Sequence, residues 1–162
     1  MRKQKGFSLI ELLIVVAIIL IIAAIAIPNL MRSRMSANQA SAVGSERTVN
    51  TAEIAYATTF NAGFSPDLTS LGGPPCAGTP TAANACLVDQ VLSNATAAAT
   101  AKSGYFFTYT AGAGPIVNTY TLLGQPAVPN QTGQNTYFTD QSGVIRFDAT
   151  GAAATAASAP IQ

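Results

Sequence analysis

Read by its apolar and polar positions, the chain opens on a block rather than a period. Leu12 to Ile27 is sixteen apolar residues without a break, and from Phe7 to Ile27 only Ser8 and Glu11 are polar. A helix of that length rises about 30 Å, the thickness of a bilayer core. Pro28 follows; it lacks an amide hydrogen and its ring crowds the Ala24 carbonyl, so a kink or a stop is expected there. The pattern then becomes periodic. Met35, Ala42, Val49, Ala52, Tyr56 and Phe60 recur at helical spacing, which predicts resumption of the helix as far as Asn61-Ala62-Gly63. On this reading Glu46, Arg47 and Glu53 are solvated, the ordinary place for helical charges, or bridge between subunits.

Beyond Phe64 the elements shorten. Ser65 as cap with Pro66 behind it predicts one turn of helix, and Leu87, Val91 and Ala95 predict a short second helix in 87–101. "GYFFTYT", "NTYTLLG" and "TYFTDQSGVIRFD" are strand-like, with Asp140-Gln-Ser-Gly143 as a hairpin turn. The expected fold class is α+β: a long N-terminal helix whose second half packs on a small antiparallel sheet of three or four strands. The aromatic residues of those strands are expected in its core. The tail, 149–162, is low-complexity and expected to be loose.

Composition narrows the function. Charged residues make up 9% of the chain, against about 25% in a typical soluble domain. The net charge of +1 conceals an asymmetry. Arg2, Lys3 and Lys5 all precede Gly6, while the rest carries five basic and seven acidic residues. That balance excludes nucleic acid as a main partner, because phosphate binding needs clustered cations. Arg32 and Arg34 read as a headgroup-level flank, and the basic start places the N-terminus in the cytoplasm with the bulk of the chain outside. There is no histidine to act as base or ligand, and two cysteines alone do not make a tetrahedral metal site. Asp67, Asp89, Asp140 and Asp148 are scattered. Asp140 and Asp148 flank a turn but lack the dense acidic loop that calcium needs. No enzyme, metal or cofactor is therefore expected. Cys76 and Cys86, in an exported chain, predict a disulfide worth about 2–3 kcal/mol by loop entropy. Asn94-Ala-Thr96 and Asn130-Gln-Thr132 match the glycosylation triplet at a length that arises by chance.

Glu11 is the residue that needs a reason. A secretory signal peptide explains the basic start, but the apolar run is longer than an h-region and no clear cleavage site follows it. A plain single-span anchor has no use for a carboxyl there, since intramembrane carboxyls are costly and usually paired. A cut between Gly6 and Phe7 supplies the pair: it frees an α-ammonium on Phe7, one helical turn before Glu11. That ammonium reaches its own glutamate or that of a neighbouring copy, in a medium where ion pairs are strong.

"KGFSLIELLIVVAIILIIAAIAIPNL" resembles the class III signal of type IV pilins and of type II secretion pseudopilins. The resemblance is specific over the first 60 or so residues and general beyond. It implies a leader at 1–6, a transmembrane and assembly helix at 7–28 kinked at Pro28, its amphipathic continuation at 29–62, and a head at 63–148. It further implies cleavage after Gly6 by a prepilin peptidase, N-methylation of Phe7, an assembly role for Glu11, and polymerisation with other copies into a filament. Leaving the bilayer forfeits about as much as the filament core returns, and no phosphate-binding loop is present. Assembly would thus depend on an inner-membrane platform and a motor ATPase. The precursor would reside in the inner membrane and the product on the cell surface. A pseudopilin, or a single-span anchored binding domain that never polymerises, stays open as an alternative.

Overall fold

The structure, a computed structural model, describes residues 7–73 and 78–161. It divides into two compact units, Met1–Arg34 and Met35–Gln162. Helix α1 runs Leu9–Phe60 and contributes to both.

In the first unit Ser8 stands at the cap of α1, its carbonyl accepting from the Leu12 N–H at 3.2 Å. The apolar block that follows buries almost nothing within the chain: Leu9 is 77% exposed, Leu20 64% and Ile25 66%. Among the described residues, α1 is the one helix long and apolar enough to cross a membrane. Pro28 lies inside it and does not end it. One missing donor and one crowded carbonyl are outweighed by the good helix formers on either side.

In the second unit α1 is followed by α2 (Leu68–Leu71), α3 (Gln90–Ser93), a 3₁₀ turn at Ala98–Thr100, and five strands. These are β1 (Tyr105–Ala111), β2 (Tyr120–Pro126), β3 (Thr136–Asp140), β4 (Arg146–Asp148) and β5 (Ala159–Pro160). They form one open antiparallel sheet in sequence order. The β3–β4 turn is the expected one: Gly143, at φ +73°, donates to the Asp140 carbonyl, and the Ser142 N–H donates to the Asp140 carboxylate. Alternation along β2 sends Tyr120, Leu122, Gly124 and Pro126 inward. Phe107 of β1 and Tyr137 of β3 flank Gly124 in register. The core joins Phe107, Leu122 and Tyr137 to Ala42, Val49, Ala52 and Tyr56 of α1, the face the periodicity predicts.

Three details differ from the sequence reading. The tail is not loose where it was expected to be. Ala159 pairs with Phe147 in the fifth strand, the Ile161 N–H donates to the Ile145 carbonyl at 2.9 Å, and Ala154 is buried. The exposed edge of β4 needs backbone partners, and a segment of alanine and threonine supplies them without any side-chain pattern. The cap of α2 is Asp67, whose carboxylate accepts from the Ser70 N–H at 2.7 Å, and not Ser65. The second short helix shrinks to the single turn α3, because the amides of Leu87 and Val88 donate to the Leu71 carbonyl instead of entering a helix.

Gly63 closes the exit from α1 at φ +79°, where an added Cβ would lie 2.3 Å from the Val117 carbonyl oxygen that accepts from Phe64 N–H. Gly63→Ala therefore combines a left-handed alanine with a backbone clash. It is expected to cost at least about 1–3 kcal/mol, read from urea unfolding of the full-length chain in detergent.

Candidate functional site

In the first unit the residues of interest are consecutive. Phe7 is 79% exposed, Ser8 caps α1, and Glu11 is the third residue of its first turn. The Ser8 amide points at Glu11 Oε2 across 3.5 Å, a long contact of the capping-box kind in which a glutamate reaches back to the cap's N–H. The carboxyl is thus held towards the residues that precede the helix, the side on which Phe7 lies. Gly6, where the cut is expected, lies outside the described residues, as does Cys76. Cys86 is described, at φ 56°, its N–H donating to the Gly72 carbonyl at 3.1 Å. Around this short stretch, Leu12, Ile14, Ile18, Ile22, Ile25 and their neighbours are all open to solvent, with only Ala23 partly covered.

The second unit holds a polar seam that sequence reasoning missed. Glu46 and Glu53, expected in water, are both fully buried on the sheet-facing side of α1, and Asn50 is buried between them. The signal was present: Glu46 follows Ala42 by four residues and Glu53 follows Val49 by four, on the same face. The habit of placing charges outside overrode the spacing. Glu53 is supplied with donors. Ser65 gives it its N–H at 2.8 Å and its hydroxyl at 2.6 Å, while the Tyr109 hydroxyl donates to the Ser65 carbonyl at 2.9 Å. Asn50 donates to Thr139 Oγ1 and accepts from the Tyr120 hydroxyl, each at 2.9 Å.

Glu46 has no such relief. Neither of its carboxyl oxygens has a hydrogen-bond partner. Oε1 lies over Gly124, so close that a Cβ there would meet it at 3.0 Å. Loss of water pushes the Glu46 carboxyl up to about 9, opposed only by the nearby Gly124 N–H, which falls short of a hydrogen bond. Burial also raises Glu53, and its donors partly offset the rise. Burial lifts Tyr105, Tyr109 and Tyr120 as well, so these phenols stay neutral.

Elsewhere the polar residues serve local structure. Asp140 and Asp148 do not converge: Asp148 pairs with Thr136 at one end of the β3–β4 hairpin while Asp140 holds the turn at the other. Asp148 accepts from the Thr150 hydroxyl at 2.5 Å and from its N–H at 2.7 Å, which together hold its carboxyl below the usual range. Asp89 pairs with Lys102 at 3.0 Å on the surface. Among the described residues there is no group of three or more acidic or cysteine side chains placed to hold a metal ion.

Residues 1–27 match the Prokaryotic N-terminal methylation motif. The chain is similar to the Type IV wide pilus major component PilA4 of Thermus thermophilus, 66% identical over 38 residues, which is 24% of this chain and 29% of that protein. It is similar to the Type IV major pilin protein PilA of Myxococcus xanthus, 44% identical over 54 residues, 33% of this chain and 24% of that one. It is also similar to the Type II secretion system core protein G of Vibrio cholerae, 46% identical over 43 residues, 26% of this chain and 30% of that one. The matches thus span less than a third of those relatives' length. No solved structure matches the chain. A methylation motif, an exposed apolar helix behind it, and an antiparallel sheet after that helix coincide in one chain, whose N-terminal segment carries the methylation motif and is similar to those of type IV pilins and of a type II secretion core protein.

Proposed function

We propose that this chain is a prepilin: a structural subunit, not an enzyme, that becomes part of an extracellular type IV pilus. The observation that carries the reading is the apolar block Leu12–Ile27, presented on a helix and, among the described residues, left exposed at every position but Ala23, in register with the methylation motif. In the precursor that block sits in the inner membrane. A prepilin peptidase cuts after Gly6 and the new Phe7 amine is methylated, which keeps its positive charge. The ammonium then pairs with Glu11 of its own helix or of a neighbour. Copies leave the bilayer only where other copies offer an equally dry surface, so the product is a helical homopolymer. Burying one such aliphatic side chain is worth about 1.5–3 kcal/mol, and extraction from lipid forfeits a similar amount. A motor ATPase and an assembly platform therefore supply the work. Pro28 kinks the helix between the assembly segment and its amphipathic continuation.

The similarity to a type II secretion core protein keeps a second reading, a pseudopilin. The separation of Asp140 from Asp148, which leaves no acidic cluster at the β3–β4 turn, favours the pilus.

Mass spectrometry of protein from sheared surface fibres tests the reading. The expected polypeptide begins at Phe7, is heavier by one CH2 unit for the methyl group that replaces a hydrogen on its N-terminus, and is lighter by two hydrogens for a Cys76–Cys86 disulfide. A polypeptide starting at Met1, or one starting beyond Ile27, means an anchor or a secreted domain instead. An unchanged cysteine mass removes the disulfide alone.

A further inference from the structure

We propose that the seam between α1 and β2 in the second unit is a pH-sensitive latch, shut while the Glu46 carboxyl keeps its proton and released when that proton is lost. The geometry sets Glu46 apart from its neighbours. Glu53, seven residues on, already has the Ser65 N–H and hydroxyl in place, so its negative form has donors waiting. The amide of Asn50 is divided between Tyr120 and Thr139. Glu46 is fully buried with both oxygens unpartnered. It is closed in by the one position of inward-facing β2 that has no side chain, Gly124, with Phe107 and Tyr137 beside it in register.

Among the described residues, only the Gly124 N–H, short of a hydrogen bond, eases a negative charge there. From α1 the nearest ionisable group on the same face is Glu53, itself an acid. From β2 comes Tyr120 and from β3 Tyr137, phenols that stay neutral and whose ionised form an anion at Glu46 would disfavour further. Asp140 of β3 acts on Tyr120 with the same sign, and Tyr105 and Tyr109 of β1 are neutral. Among the described residues no cation acts on Glu46. An ionised Glu46 can reach only water, and water reaches it only if α1 lifts from β2. The Asn50 and Glu53 bonds further along α1 would remain, so release is local rather than global. The inference stands on the second unit alone and holds whether or not the chain forms filaments.

The test is hydrogen exchange of the full-length chain in detergent micelles at pH 6 and pH 9, expressed as protection factors so that the intrinsic pH dependence of exchange cancels. A proton released on opening changes the opening equilibrium by up to about tenfold per pH unit. Amides of β2 and of α1 around Glu46 are expected to lose protection at least about tenfold over this range in the native chain and in Glu53→Gln. In Glu46→Gln they should change by less than about threefold. Constant protection in the native chain, or an equal loss in Glu46→Gln, overturns the latch. If Glu46→Gln does not fold, ¹³C carboxyl chemical shifts of the native chain decide. A Glu46 carboxyl still neutral at pH 7 supports the latch, and one already ionised there overturns it.

Discussion

Replacing Glu11 by valine is expected to leave membrane insertion of the precursor intact and to reduce sheared filaments by roughly tenfold or more. Valine is a better membrane residue than glutamate, so insertion has no reason to suffer. What is lost is the mate of the Phe7 ammonium. In the proposed filament core that charge has no water and no other acid within a helical turn, since Glu11 is the only acidic residue before Glu46. An unpaired ammonium in a dry interface opposes every added copy, and a polymer multiplies the penalty. Glu11→Gln separates charge from hydrogen bonding. It can still accept from the Ser8 amide, which Glu11 faces here across 3.5 Å, but it carries no charge and should also fail to assemble. The readouts are the membrane fraction of the precursor and the mass of filaments sheared from cells. Undiminished filaments from either variant defeat the pairing argument; loss of membrane insertion would assign Glu11 to targeting instead.

The second large effect concerns stability against pH. The carboxyl of Glu46 has an ordinary value of 4.5 and about 9 in the folded chain. Below 4.5 folded and unfolded forms are both protonated. Between 4.5 and about 9 the unfolded chain is ionised while the folded one still holds its proton, so unfolding releases a proton and stability falls as pH rises. Above about 9 both are ionised and the loss levels off. Over the two and a half units from 4.5 to pH 7, at about 1.4 kcal/mol per unit, the cost is roughly 3 kcal/mol. Glu53 acts in the same direction. Glu46→Gln removes the largest part, so its gain over the native chain should be small at pH 4.5, roughly 3 kcal/mol at pH 7, and larger still at pH 9. Urea unfolding of the full-length chain in detergent at these three pH values reads it directly. A native chain as stable at pH 9 as at pH 5 would show that Glu46 is already ionised and solvated.

Much of the fold follows from patterns that are local along the chain. Leu12–Ile27 is apolar at every position, so the helix it forms was legible without any knowledge of the rest of the chain. The face from Ala42 through Val49, Ala52 and Tyr56 has helical period, and each of these is buried. The strand-like runs 104–110 and 118–124 fall largely within β1 and β2, which pair antiparallel. The N-terminal motif was readable for the same reason: glycine, phenylalanine, glutamate and proline keep a set spacing within one segment.

What eluded the sequence depends on partners distant along the chain. Ser65 had the residue type of a helix cap, yet its hydroxyl is taken by Glu53, and Asp67 caps α2 in its place. The alanine-rich tail has no side-chain pattern to betray a strand, because β5 exists to satisfy backbone groups at the edge of β4. The fate of Glu46 was decided furthest from its own neighbourhood. The amino-acid sequence by itself settled that this chain carries an apolar N-terminal helix and an antiparallel sheet. Only the tertiary structure decided that two glutamates lie between the second part of that helix and the sheet. Whether a carboxyl meets water, a serine or a bare glycine is set by residues 12 to 78 positions away, and period along a helix reports direction, not company.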